Sequence, residues 1–226
     1  MMRFVPHKDL RQRLLLLALM LALALPPALL WGDDWVLAHR AQMLAWWPQS
    51  GLSFALVHNS IFGFYLAYLG LALRASWQRR SAGKFGNSAY IFVAYVLTEL
   101  LVAVLVVRLL KLGIGRPRPA FFGQPWTPFA GQARFESLPS GHAADAAVGA
   151  GVADIFTTST WLRLLAFAGL VLTMFGRIVE GRHYPSDLLL GAALGYAGSL
   201  LTAAVLFRYS ARLRPGGLRA RSAPKE

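Results

Sequence analysis

The chain is 226 residues long and 56% hydrophobic, with a positive mean hydropathy and a formal net charge of +13. That composition excludes an ordinary water-soluble domain, and the absence of cysteine excludes both a disulfide framework and a thiolate metal site. The excess of Lys and Arg falls mainly at the ends of apolar segments, where orientation in a membrane accounts for it without a nucleic-acid partner.

A helix needs about 20 apolar residues to cross roughly 30 Å of hydrocarbon. A basic leader, Met1 to Arg13, precedes the first apolar run, Leu14 to Trp31, which Pro26 and Pro27 are expected to bend. Ala22 and Ala24 give a loose small-residue pattern, so a cleaved signal peptide competes with a retained helix. The run stays apolar beyond them, which favours retention. Residues 32–50 carry Asp33, Asp34, Arg40, Trp35, Trp46 and Trp47 and read as an interfacial belt, with a short helix lying among the headgroups. A second span is predicted from Leu52 to Leu73, with His58 and Asn59 satisfied inside the bundle. Residues 74–88 hold Arg74, Arg79, Arg80 and Lys84 and no acid, the pattern of a cytoplasmic loop.

The third span, Ala89 to Leu110, has Glu99 near its middle, where a carboxylate must be neutral or paired. Lys111 to Ser140 forms a turn-rich lip with Phe121, Phe122, Trp126 and Phe129 placed to meet the headgroup layer. The fourth span starts at Gly141 or His142 and ends near Phe156; residues 157–163 turn; the fifth covers Leu164 to Gly176. A polar loop follows, then the sixth span from Leu188 to Phe207, and a basic tail from Arg208 to Glu226 expected to be disordered on anionic lipid. The expected fold class is therefore an all-α integral membrane bundle of six helices, one domain over residues 1–207, with both termini cytoplasmic. All the basic loops fall on one face. The polar loops 111–140 and 177–187 fall on the other, and their positive charge runs against the usual orientation rule, as an outer-face anion site requires.

The loop between the last two spans reads Arg177-Ile-Val-Glu-Gly-Arg-His183-Tyr-Pro-Ser-Asp187. With Pro185 in the first turn of the next helix, His183 and Asp187, four apart, can face each other. A carboxylate on one ring nitrogen fixes the tautomer and leaves the other nitrogen free to attack. Arg177 offers a fixed positive fork for an anion. Two further blocks accompany it: Lys111 and Arg118-Pro119 around a Gly/Pro turn, and Pro139-Ser140-Gly141-His142 at the start of an apolar helix.

The three blocks resemble the signature of the type 2 phosphatidic acid phosphatase superfamily, which includes the vanadium haloperoxidases. Both spacings within the third block are kept; one departure is Gly176, where the family has serine. The resemblance covers residues 111–187 and implies a lipid phosphatase. Its expected roles are His183 as nucleophile forming a phosphohistidine, Asp187 orienting it, and His142 protonating the leaving oxygen and later activating water. Lys111, Arg118, Ser140, Gly141 and Arg177 would bind phosphate. No cofactor and no metal are expected; His142, His183 and Asp187 as a two-histidine, one-carboxylate face is the rival, disfavoured by three converging cations. Arg116 is a secondary candidate whose plain role is headgroup attraction, and Asp145 either raises the proton affinity of His142 or faces the bundle.

The substrates implied are undecaprenyl pyrophosphate, phosphatidylglycerol phosphate, phosphatidic acid or the 1-phosphate of lipid A, at the periplasmic face of a bacterial inner membrane. Partners are that lipid and the membrane lipids, with no nucleic acid and no obligate protein partner. A lipid-to-lipid phosphotransferase would use the same residues, a six-span transporter would leave the three blocks to coincidence, and a haloperoxidase fits the membrane spans poorly.

Overall fold

The computed structural model describes residues 7–47, 50–82 and 87–212, and among them all regular structure is helical. Residues 1–6, 48–49, 83–86 (with Lys84) and 213–226 lie outside the described residues. Four helical stretches are long and apolar enough to cross a membrane: Leu10–Trp46, Ser88–Phe121, Thr160–Val179 and Pro185–Phe207. Their outward faces are leucine-rich; Leu23, Leu66 and Leu165 are each more than two-thirds exposed. Such surfaces suit lipid and not water.

Several boundaries differ from the sequence expectation. α1 (His7–Pro27) carries both prolines inside it and passes through a π-helical segment, Ala28–Gly32, straight into α2 (Asp33–Trp46). The expected separate helix among the headgroups is instead a continuation of the first span. At 1.5 Å per residue, the 37-residue stretch is about 55 Å long, well beyond the hydrocarbon thickness. The second expected span is broken at Asn59–Ser60 into α3 (Gly51–His58) and α4 (Ile61–Ala82), and α4 carries the first part of the expected basic loop as helix. The third is α5 (Asn87–Thr98), a π-helical segment Glu99–Val106, and α6 (Val107–Ile114), so Lys111 sits on a helix and not in a loop.

α7 (Gly141–Phe156) keeps the expected bounds. α8 (Thr160–Val179) starts earlier than expected and extends past Arg177; α9 (Pro185–Arg212) continues beyond Phe207 into the first residues of the expected disordered tail. Pro185 opens α9, where its missing N–H costs nothing.

The packing centres on α7. Its small residues Ala143, Ala144, Ala146, Ala147 and Ala150 are fully buried, so neighbouring backbones come close. The tightest neighbour is α9. A Cβ at Gly191 would lie 2.3 Å from the Ser140 carbonyl oxygen, and one at Gly195 would lie 2.2 Å from that of Ala144. This glycine pair, four residues apart, lays the start of α9 against the start of α7 and so joins the second and third motif blocks. At the other end Arg13 and Tyr196 both bind Asp154, tying α1 and α9 to α7.

Candidate active site

His183 and Asp187 meet as the spacing predicts. His183 Nδ1 stands 3.5 Å from Asp187 Oδ2, an ion-pair distance that leaves Nδ1 without a formed hydrogen bond among the described residues, and both side chains are buried. Nε2 is thereby left as the ring nitrogen not turned toward the carboxylate. Burial pushes the His183 imidazole below the usual histidine range, against the pull of Asp187, so the ring is neutral and able to attack near neutral pH.

Asp187 is held by more than this histidine. Its Oδ2 accepts from Ser137 Oγ at 2.5 Å and from the Tyr184 amide at 3.0 Å; its Oδ1 accepts from Arg116 Nη1 at 2.7 Å. Arg116 also donates to Ser186 Oγ and, through Nη2, to Asp33, each at 2.7 Å. Asp33 in turn accepts from the Ser186 amide at 3.1 Å and hydroxyl at 2.6 Å. The Tyr184 ring covers the guanidinium at 4.0 Å. Arg116, a secondary candidate from the sequence, is thus a buried member of this cluster. Asp33, Ser137 and Ser186 went unnoticed in the sequence because nothing local links residue 33 to residue 187.

The cations gather from three elements. Lys111 reaches from the last turn of α6 to the start of α7, its Nζ 3.6 Å from where a Gly141 side chain would begin. The ammonium therefore sits against the helix N-terminus, whose free N–H groups favour an anion. Ser140 caps that helix, its Oγ accepting from the Ala143 amide at 3.4 Å, while its own amide donates to the Asp187 carbonyl at 2.9 Å. The chain turns sharply after α6 at Gly115, with φ +62° and the Thr127 carbonyl where a Cβ would sit, so glycine is obligatory there. That turn starts the lip, whose Phe122, Trp126 and Phe129 are exposed, and whose carbonyls at Ala133 and Arg134 fix Arg118 through its Nε and amide.

Arg177, on the last turn of α8, is anchored through Nη2 to the His58 carbonyl at 2.9 Å and Glu180 Oε1 at 3.1 Å; its buried Nε has no hydrogen-bond partner. Glu180 also takes His58 Nδ1 at 3.0 Å and Arg182 Nε at 3.3 Å. His142 lies within electrostatic reach of Arg177, His183 and Lys111, and Lys111 within reach of Arg118.

All eight sequence-predicted site residues therefore fall at one end of the bundle. Asp145 accepts from Tyr65 at 3.3 Å and lies within hydrogen-bonding range of Glu99, and it is also within electrostatic reach of Lys111, so this acid pair borders the site from the bundle side. Gly176 fits its place for a packing reason, since a Cβ there would be 2.5 Å from Val57 Cγ1. Asp187 already accepts three donors, one of them a guanidinium, which suits a carboxylate that orients a histidine better than one that binds a divalent ion.

Comparison with known proteins agrees with this arrangement. The family model described as the PAP2 superfamily matches residues 90–211. A lipid A 1-phosphatase of Rhizobium etli is 40% identical over 51% of this chain and 50% of its own. One of Rhizobium johnstonii is 34% identical over 68% of this chain and 62% of its own. A probable diacylglycerol pyrophosphate phosphatase 1 of Schizosaccharomyces pombe is 28% identical over 51% of this chain and 54% of its own. The chain thus spans between half and two-thirds of the length of these relatives. No solved structure matches.

Proposed function

Because the chain belongs to the PAP2 superfamily, we propose that it is a membrane lipid phosphatase working without a metal through a phosphohistidine on His183. The observation that carries the reading is the His183–Asp187 pair set beside the start of α7, where Lys111 stands at the helix N-terminus. Nε2 of His183 attacks phosphorus, the P–N bond forms as the P–O bond to the lipid breaks, and His142 gives its proton to the departing oxygen. Asp187 holds the Nδ1 proton and offsets the positive charge growing on the ring. Lys111, Arg118, the unpartnered Nε of Arg177 and the amides at Gly141 and His142 take the charge of the equatorial oxygens. His142 then draws a proton from water, whose oxygen attacks phosphorus and breaks the P–N bond, releasing inorganic phosphate.

α4 and α7 complete six spans with the four long apolar stretches, and the site lies at the periplasmic face of an inner membrane with both termini cytoplasmic. The basic loops support this orientation. Among the candidate lipids, the 1-phosphate of lipid A is favoured by the two Rhizobium relatives named for that activity.

The test is phosphate release by the purified full chain, with chelator present, from lipid A 1-phosphate, undecaprenyl pyrophosphate, phosphatidylglycerol phosphate and phosphatidic acid. Release from lipid A 1-phosphate, inhibited by vanadate, is the expected result. Activity lost to chelator and restored by a divalent ion would refute the mechanism, and transfer to an added lipid without free phosphate would make the protein a phosphotransferase. Sidedness is read by cysteine labelling in intact cells: Gln132→Cys reacts with an impermeant thiol reagent and Ser81→Cys does not.

A further inference from the structure

The buried cluster behind Asp187 draws on three distant parts of the chain, and the proposed mechanism uses only its last member. Asp33 arrives at the start of α2, immediately after the π-helical segment 28–32. Gly32 brings that backbone onto the Pro185 ring, at 3.4 Å from where a Cβ would sit. There Asp33 accepts the Ser186 amide at the open N-terminus of α9, an anion where the helix dipole favours one. Arg116 bridges the two acids with separate nitrogens at 2.7 Å each, which a lysine could not do with the same fixed geometry. Asp33 is 4% exposed, Arg116 8% and Asp187 0%, so water screens these charges little.

Asp187 and Arg116 alone would cancel. With Asp33 included, two carboxylates and one guanidinium leave one net negative charge behind His183.

We propose that Asp33, acting through Arg116, is a positioning residue for catalysis: it keeps the guanidinium from neutralising Asp187, so that Asp187 can orient His183 and stabilise the positive ring formed on attack. The N-terminal helix is thereby a working part of the site and not only an anchor. This rests on the reading of His183 as the nucleophile.

The experiment has two readouts, one independent of turnover. The full chain, labelled with ¹³C,¹⁵N-histidine in detergent micelles, has five histidines, and the His183 signal is the one missing from His183→Ala. The charged groups facing this ring are Asp187 from α9, Lys111 from α6, Arg118 from the lip and His142 from α7. Asp33→Asn leaves Arg116 under-compensated and is expected to move the His183 titration to lower pH. Arg116→Gln frees Asp187 and is expected to move it higher, each by about half a unit or more. In the double variant Asp33→Asn/Arg116→Gln the cluster regains one net negative charge, carried by Asp187 with its Ser137 and Tyr184 donors still in place, and the titration lies near that of wild type.

In turnover, Asp33→Asn lowers kcat about 10- to 100-fold with KM within about threefold, and costs far less in the Arg116→Gln background, as for a residue acting through another. Titrations that shift in the same direction, or not at all, overturn the proposal. So do kcat losses in Asp33→Asn that are undiminished when Arg116 is already gone. Should Asp33→Asn not fold, Arg116→Gln and the double variant give the same decision. A wild type releasing no phosphate from any lipid sinks the phosphatase reading, while the titrations still decide the charge chain.

Discussion

On one side of His183, a carboxylate is wrapped in donors: Arg116, Ser137 and the Tyr184 amide all point at Asp187. At the end of α8, by contrast, a guanidinium is held by acceptors: Glu180 and the His58 carbonyl take Nη2 of Arg177 and leave Nε without a hydrogen-bond partner among the described residues. Each cluster buries ions, which is costly unless they are paired and hydrogen-bonded. The first spends its bonds on holding an anion whose remaining task is to face a histidine. The second fixes a cation by one nitrogen and leaves another donor that the proposed mechanism assigns to a substrate oxygen. In that proposal a closed buried pair orients, while a pair left open binds.

The most severe way to break the comparison is to remove the histidine that faces the first cluster. His183→Ala is expected to abolish phosphate release and phosphohistidine labelling together, because no other covalent route exists; measurable turnover in that variant would remove its role as nucleophile. His142→Ala should slow phosphoenzyme formation about 10- to 100-fold more on a lipid monophosphate than on a lipid pyrophosphate. An alkoxide leaves poorly without a proton, whereas a phosphate leaves well as an anion. Single-turnover kinetics on both substrates reads this, and equal losses would contradict the assignment.

Opening the second cluster should cost less. Glu180→Gln keeps an amide oxygen for Arg177 but removes its counter-charge, and about a tenfold loss in kcat/KM is expected. Thermal unfolding measured beside it shows whether Arg177 has merely become mobile or the fold has weakened. The smallest effect is expected at Gly176, where the family has serine. Gly176→Ser drives a side chain into Val57 and should destabilise by about 1–3 kcal/mol. Val57→Ala in the same chain should recover most of that, and phosphatase activity should change only a few-fold. A serine variant that instead gained activity without loss of stability would mean that the missing hydroxyl matters to phosphate binding.

The motif blocks were legible because their chemistry is written in local spacing. His183 and Asp187 are four apart across a helix start, Pro185 marks that start, and Ser140 caps the helix that follows it in the sequence. Apolar runs gave α7 to within a residue and showed that the chain belongs in a membrane. Helix ends were less legible. Arg74 to Ala82, Lys111 to Ile114 and Arg177 to Val179 are polar or mixed, yet they remain helical because each continues a hydrogen-bonded turn already formed. The belt after Trp31 was misread for the same reason, since a π-helical segment let the helix run on through Gly32.

By itself, then, the sequence determined the helical class through its periodicity and the family through its three motif blocks, and it proposed eight site residues on the same short spacings. The tertiary structure alone decided that Asp33, Arg116, Ser137 and Ser186 close around Asp187, that Glu180 and His58 hold Arg177, and that Asp145 pairs with Tyr65 and Glu99. These partners lie up to 154 residues apart, and no spacing rule connects them. They are selected by which buried charges must find counter-charges once α9 has packed on α7 and water has been excluded.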